Sequence, residues 1–155
     1  MRIIIAGAGK VGRSIAKELH SHGHDVTLID KEQSALRPGT IEGVHMLLGD
    51  AAEGSILDDA NLRDCQVLIA ATGDDKANLV VSLLAKTEFG VPRIVARVNH
   101  PKNEWMFDEA WGVDVAVSTP RLMAALVEEA VSLGDLVSLL RLGSGDTELF
   151  EVKLT

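Results

Sequence analysis

The first 30 residues, MRIIIAGAGKVGRSIAKELHSHGHDVTLID, constrain this chain more than any other stretch. Ile3, Ile4 and Ile5 form an apolar run too short for a helix, which predicts a buried strand. Gly7, Gly9 and Gly12 follow at once in a G-x-G-x-x-G frame. A helix then begins, with Val11, Ile15 and Leu19 on one face at four-residue spacing. A second strand, Val26 to Ile29, ends in Asp30, 18 residues beyond Gly12.

Each part has a physical reason. Gly7 allows a tight turn out of the strand. Gly9 lacks a Cβ, so a pyrophosphate can approach the backbone, and Gly12 lets the helix lie close to the sheet. The free N–H groups of the first helical turn face the phosphates, and the helix dipole favours their charge. Asp30 can accept hydrogen bonds from a ribose 2′-hydroxyl and would repel a 2′-phosphate. A Gly-rich frame alone is a weak signal; strand before, helix after and acid at the expected distance make it a dinucleotide-binding fingerprint.

The rest of the chain repeats the strand–helix alternation. Strands are expected to start near residues 2, 24, 44, 66, 93 and 113. Between them lie a short segment closed by Pro38-Gly39, a modest helix Glu53–Ala60, an apolar helix capped by Asp74 or Asp75 and running to about Phe89, and a helix from about Pro101 to Trp111. Such alternation implies a parallel sheet covered on both faces. The expected fold is α/β, a Rossmann-like doubly wound six-stranded sheet in the order 3-2-1-4-5-6. Another helix starts at Pro120, capped by Ser118 or Thr119. Past Gly134-Asp135 the pattern changes: Leu136 to Leu142 fits a short helix or a strand, 143–146 a turn, and Glu148 to Leu154 a terminal strand. Residues 1–133 are therefore read as the nucleotide-binding domain. Residues 134–155 are read as a crossover segment and the start of a truncated or absent further lobe, or as a simple edge strand or a loose tail.

Composition excludes several classes. The formal net charge is −8 with no basic cluster, which argues against non-specific nucleic-acid binding and a polybasic membrane anchor. No apolar run has the length of a membrane span, so direct insertion is not expected. The single cysteine, Cys65, cannot form an internal disulfide and reads as a small core residue.

In open parallel sheets ligands bind beyond the carboxyl ends of the strands. This groups Gly7–Gly12, Asp30, Asp50, Thr72-Gly73 and Arg97. Asp50 suits an adenine or its ribose; the bland alternative is a turn acid. Arg97, near the end of a central strand, needs an anionic partner, either a ligand phosphate or a carboxylate of this or another subunit. His20, His22 and His24 alternate at a helix end and so do not face one another as metal ligands would. His100 is the best acid–base candidate, with a loop or cap as its simpler role. Trp105, Phe107 and Trp111 are mostly core, with a protein-contact role as the minority reading.

With Gly49-Asp50-Ala51, Ala71-Thr72-Gly73-Asp74-Asp75 with Asn78, and Ala96-Arg97-Val98-Asn99 added, the chain resembles the N-terminal domains of the RCK/KTN class (regulators of K⁺ conductance), the TrkA-N family of Trk potassium uptake systems. It is most similar to actinobacterial members in Thr72–Lys76, Val98–Pro101 and Val117–Pro120. The resemblance runs from Met1 to about Ser132. It implies a cytoplasmic subunit, peripheral to the inner face of the membrane, that binds NAD(H) and often ATP or ADP. Such subunits gate a separate membrane K⁺ transporter pore subunit and assemble as dimers or higher homo-oligomers. It carries nucleotide contacts onto Gly7, Ala8, Gly9, Lys10, Val11, Gly12, Asp30, Asp50, Ala51, Thr72, Gly73 and Arg97, more loosely onto Asn78, and makes Pro120–Leu142 a helix–turn–helix crossover used in dimerisation. Ala52 replaces a hydroxyl residue frequent in the family.

A regulatory subunit is the reading that follows. A NAD-dependent oxidoreductase, represented here by its cofactor domain only, is the alternative; it needs a substrate domain that no stretch supplies. A redox-sensing transcription factor would need a helix-turn-helix and a basic surface, and neither is evident.

Overall fold

A computed structural model of the chain describes residues 1–36, 41–118, 123–124 and 126–129. The chain divides into two compact units, Met1–Thr119 and Pro120–Thr155, and the fold set out below is that of the first. Most of the expected crossover and terminal strand, the Pro38-Gly39 closure and the cap at Thr119 lie outside the described residues. Within the second unit the described residues 123–124 and 126–129 are helical.

Six strands form one sheet: β1 (Arg2–Ala6), β2 (Asp25–Asp30), β3 (His45–Leu48), β4 (Val67–Ala70), β5 (Arg93–Val98) and β6 (Val115–Ser118). All pairings are parallel and the order is β3-β2-β1-β4-β5-β6, as expected. The strand begins expected at 66 and 113 fall at Val67 and Val115. β1 occupies the centre, with Ile4 level with Thr27 on one side and Leu68 on the other. Alternation along β1 sends Ile3 and Ile5 into one core, with Val26, Leu28 and Ala16, and Ile4 and Ala6 into another, with Leu57, Leu68 and Ile94. Both faces of the strand are therefore buried, which is why its sequence is continuously apolar.

The helices are α1 (Lys10–Ser21), α2 (Gln33–Leu36), α3 (Gly54–Asp59) and α4 (Asp75–Thr87). Asp74 is the N-cap of α4, its carboxylate accepting from Lys76 N–H at 2.9 Å. Asp75 is the first helical residue, so the cap left open between the two acids goes to Asp74.

The expected helix over 101–111 is instead two 3₁₀ segments, Pro101–Met106 and Glu109–Trp111. The break falls where Phe107 turns into the core, 6% exposed, and Asp108 caps the second segment by accepting from Ala110 N–H. Phe89 is also buried and Trp111 packs against the same core. Trp105 departs from this group and is 76% exposed. Cys65, just before β4, is 3% exposed, and its thiol lies 2.8 Å from the Val67 carbonyl oxygen. Burial pushes that thiol above its ordinary pKa, outweighing the backbone hydrogen bonds that oppose the shift.

Candidate functional site

The loops that leave the strands meet around a cavity of about 850 Å³. Its wall takes Gly7 and Gly9–Val11 from the β1–α1 turn, Asp30–Glu32 after β2, Gly49–Ala52 after β3, Ala71–Asp74 after β4, and Arg97 from β5; α4 adds Lys76, Ala77, Val80 and Val81. The volume is within the usual range for a small-molecule site.

The three glycines of the β1–α1 turn have distinct roles. Gly7 sits at φ +115°, and a Cβ there would come within 2.7 Å of the Ala71 carbonyl oxygen. A Cβ on Gly12 would collide with the Gly7 carbonyl oxygen. Gly9 is different: its Cβ would meet nothing within 4 Å, because it faces the open cavity. Gly9 is also the N-cap of α1, whose first turn closes with Arg13 N–H on the Gly9 carbonyl at 2.9 Å. No acid lies in that turn, so its free N–H groups and the dipole are left to attract an anion.

Asp30 is fixed from two sides. Ala8 N–H donates to one carboxylate oxygen and Glu32 N–H to the other, both at 2.8 Å. Each oxygen keeps a further lone pair for a ligand hydroxyl. Asp50 caps its own loop, accepting from Ala52 N–H at 2.9 Å, and still lines the cavity, so the turn and wall roles coexist.

Most of the residues expected from the sequence thus share one wall. Ala8 and Gly12 do not. Ala8 is 1% exposed with its N–H committed to Asp30, and Gly12 is packed against Gly7; both build the turn rather than face the cavity. His100 is exposed and off the cavity wall. His22 caps the C-terminus of α1 and His24 lies 3.1 Å from the N-terminal amine. Among the described residues no three His, Cys, Asp or Glu side chains gather as metal ligands.

Sequence reasoning gave little weight to the groups that hold this wall in place. Asn78, fully buried on α4, accepts from Thr72 N–H at 3.0 Å and donates to the carbonyls of Thr72 at 3.1 Å and Arg97 at 2.9 Å. Asp75, 6% exposed, accepts four hydrogen bonds, from Asn99 N–H and Nδ2, His100 N–H and Asn103 Nδ2. Burial would raise its pKa, but these bonds outweigh burial and hold it below the ordinary carboxylate value. A signal existed: an Asn on the apolar arc of a helix, and a second acid beside a cap, each need a buried partner.

The TrkA-N domain model matches residues 3–119. Over 154 residues, 99% of this chain and 70% of its relative, the sequence is 56% identical to the Trk system potassium uptake protein TrkA of Mycobacterium tuberculosis. The chain belongs to the TrkA-N family. Solved structures with the same fold include the GsuK channel bound to NAD, with TM-score 0.74 and 27% identity over 90% of this chain and 25% of that one. GsuK bound to ADP superimposes with TM-score 0.72 and 29% identity, covering 83% of this chain and 33% of that one. As in other proteins with a doubly wound sheet, the cavity of this TrkA-N domain lies beyond the carboxyl ends of its strands. No helix among its described residues is long and apolar enough to cross a membrane.

Proposed function

We propose that this TrkA-N chain is the nucleotide-binding regulatory subunit of a potassium uptake system. It works at the inner face of the membrane on a separate K⁺ transporter pore subunit, and carries no catalytic activity of its own. The observation that carries the reading is the convergence of the open Gly9 cradle, the acid-free N-terminus of α1 and the doubly anchored Asp30 on one cavity. NAD(H) fits this arrangement, with pyrophosphate at Gly9–Val11 and the adenosine ribose at Asp30; ATP or ADP would use the same half. Thr72, Gly73 and Arg97 also line the cavity, and this reading sets the rest of a dinucleotide or a further phosphate against them. Regulation follows from differential binding: a nucleotide that prefers one arrangement of paired domains shifts the attached pore toward the state it favours.

Calorimetric titration with NAD⁺, NADH, NADPH, ATP and ADP tests this. NADH binds more tightly than NADPH because Asp30 and Glu32 face the extra phosphate, with Lys31 softening the difference. Equal affinities for the two would remove Asp30 from the ribose. The same preparation leaves NADH absorbance unchanged across a panel of small carbonyl substrates; a saturable oxidation lost in His100→Ala would restore the oxidoreductase reading.

A further inference from the structure

The carbonyl oxygen of Thr72, on the cavity wall, accepts from two side chains at once, Asn78 at 3.1 Å and Asn99 at 2.9 Å. Asn78 also holds the Arg97 carbonyl. Asn99 passes the connection on: its Nδ2 also donates to Asp75 at 3.1 Å and its backbone N–H to the same oxygen at 2.6 Å. The other Asp75 oxygen takes His100 N–H at 3.0 Å and Asn103 Nδ2 at 2.9 Å. Asn103 lies in the Pro101–Met106 segment, which presents Trp105 to solvent. A continuous set of hydrogen bonds therefore runs from the cavity wall to Asn103, in the segment that carries the exposed Trp105.

We propose that Asp75 is a positioning residue that locks the Thr72 wall to the Pro101–Met106 segment, so that filling the cavity changes the surroundings of Trp105. The physical reason is the sharing of acceptors. Thr72 cannot shift toward a ligand without either drawing Asn99 with it or breaking a part-buried hydrogen bond, and a broken network leaves unpaired polar groups that are costly to bury. Asn99 is in turn tied to Asp75, which is 6% exposed and sits in the first turn of α4. The segment that carries Trp105 holds no buried residue, so it is the part that follows the shift. The inference rests on the nucleotide reading of the cavity, and its test separates the two.

The test uses the full chain carrying Trp111→Phe, which leaves Trp105 as the emitting tryptophan, titrated with ADP by calorimetry and by fluorescence in parallel. In this background ADP gives a saturable change in Trp105 emission whose midpoint matches the calorimetric one. Asn103→Ala removes only the last bond to the segment. It should keep ADP affinity within about fivefold, the lower end of typical coupling between sites, while losing the emission change. Asp75→Asn should also lose the emission change, with circular dichroism confirming the fold. Binding without any Trp105 response, or a response unchanged in Asn103→Ala, overturns the inference while leaving the nucleotide site in place. Absence of binding to ADP and to NAD⁺ in the parent chain removes the nucleotide reading and this one together.

Discussion

Gly9 and Gly12 stand three residues apart and fail in opposite ways when a side chain is added. At Gly9 the added atoms project into open space. Gly9→Val is expected to keep its circular dichroism spectrum and melting temperature while calorimetric nucleotide binding disappears. Gly12→Ala forces a methyl group against the Gly7 carbonyl and is expected to cost about 1–3 kcal/mol in a denaturant titration. Asp75 makes a different prediction. Its pKa is held below the unfolded value, so its contribution is present above the ordinary carboxylate range and is lost as pH falls through the lower folded value. The stability gap between the parent chain and Asp75→Asn should therefore be full near neutrality and shrink below about pH 4; a gap independent of pH would contradict the assigned ionisation. These residues also mark the limit of what sequence reveals. The glycines and Asp30 were legible because their reasons are local, in a turn, a helix start and a strand end. Asp75 was legible only as an acid in need of a partner, because that partner, Asn99, is 24 residues further along the chain and only the β4–β5 crossover brings them together.

At the scale of elements, strands were easier to read than what joins them. Six apolar runs at regular spacing dictate a parallel sheet, and their order follows from right-handed crossovers. The 101–111 connection misled because Pro101 suits the first turn of a single helix, whereas burial of Phe107 and capping by Asp108 split it. The lower end of the sheet gives a further prediction. Asp114, just before β6, accepts from Lys86 Nζ at 2.8 Å and from Ile94 N–H at 2.7 Å, joining α4, β5 and β6. Burial opposes ionisation there, but these two hydrogen bonds, with the charges of Lys86 and Arg93, prevail and hold its carboxyl below the ordinary value. The partly exposed ion pair adds little by itself, whereas the Ile94 N–H would lose its acceptor. Asp114→Ala should destabilise by about 1–2 kcal/mol in denaturant and Lys86→Met by clearly less. Equal losses would place the stabilisation in the ion pair.

At the scale of the whole molecule, the stretch from Pro120 to Leu142 carries more apolar positions than one packing face needs, including Leu122, Leu126, Val127 and Leu139. Leu126 and Val127 are 41% and 55% exposed. We propose that this stretch is the contact of a two-fold dimer, which buries such a surface symmetrically. Light scattering at micromolar concentration should give at least a dimer mass, and Leu126→Glu should shift it toward the monomer; a dimer indifferent to that change would place the contact elsewhere. Cys65 turns the same preparation into its own gauge of opening. Its thiol is the only one in the chain and is closed off before β4, so a thiol reagent reacts only in molecules that have come apart around it. Under slow attack the labelling rate then measures the population of opened molecules, and a ligand that binds only the closed form lowers that population by the factor one plus its concentration over Kd. Nucleotide at 100 times its Kd should slow labelling by about a hundredfold, reading affinity from a clock that touches neither the cavity nor Trp105.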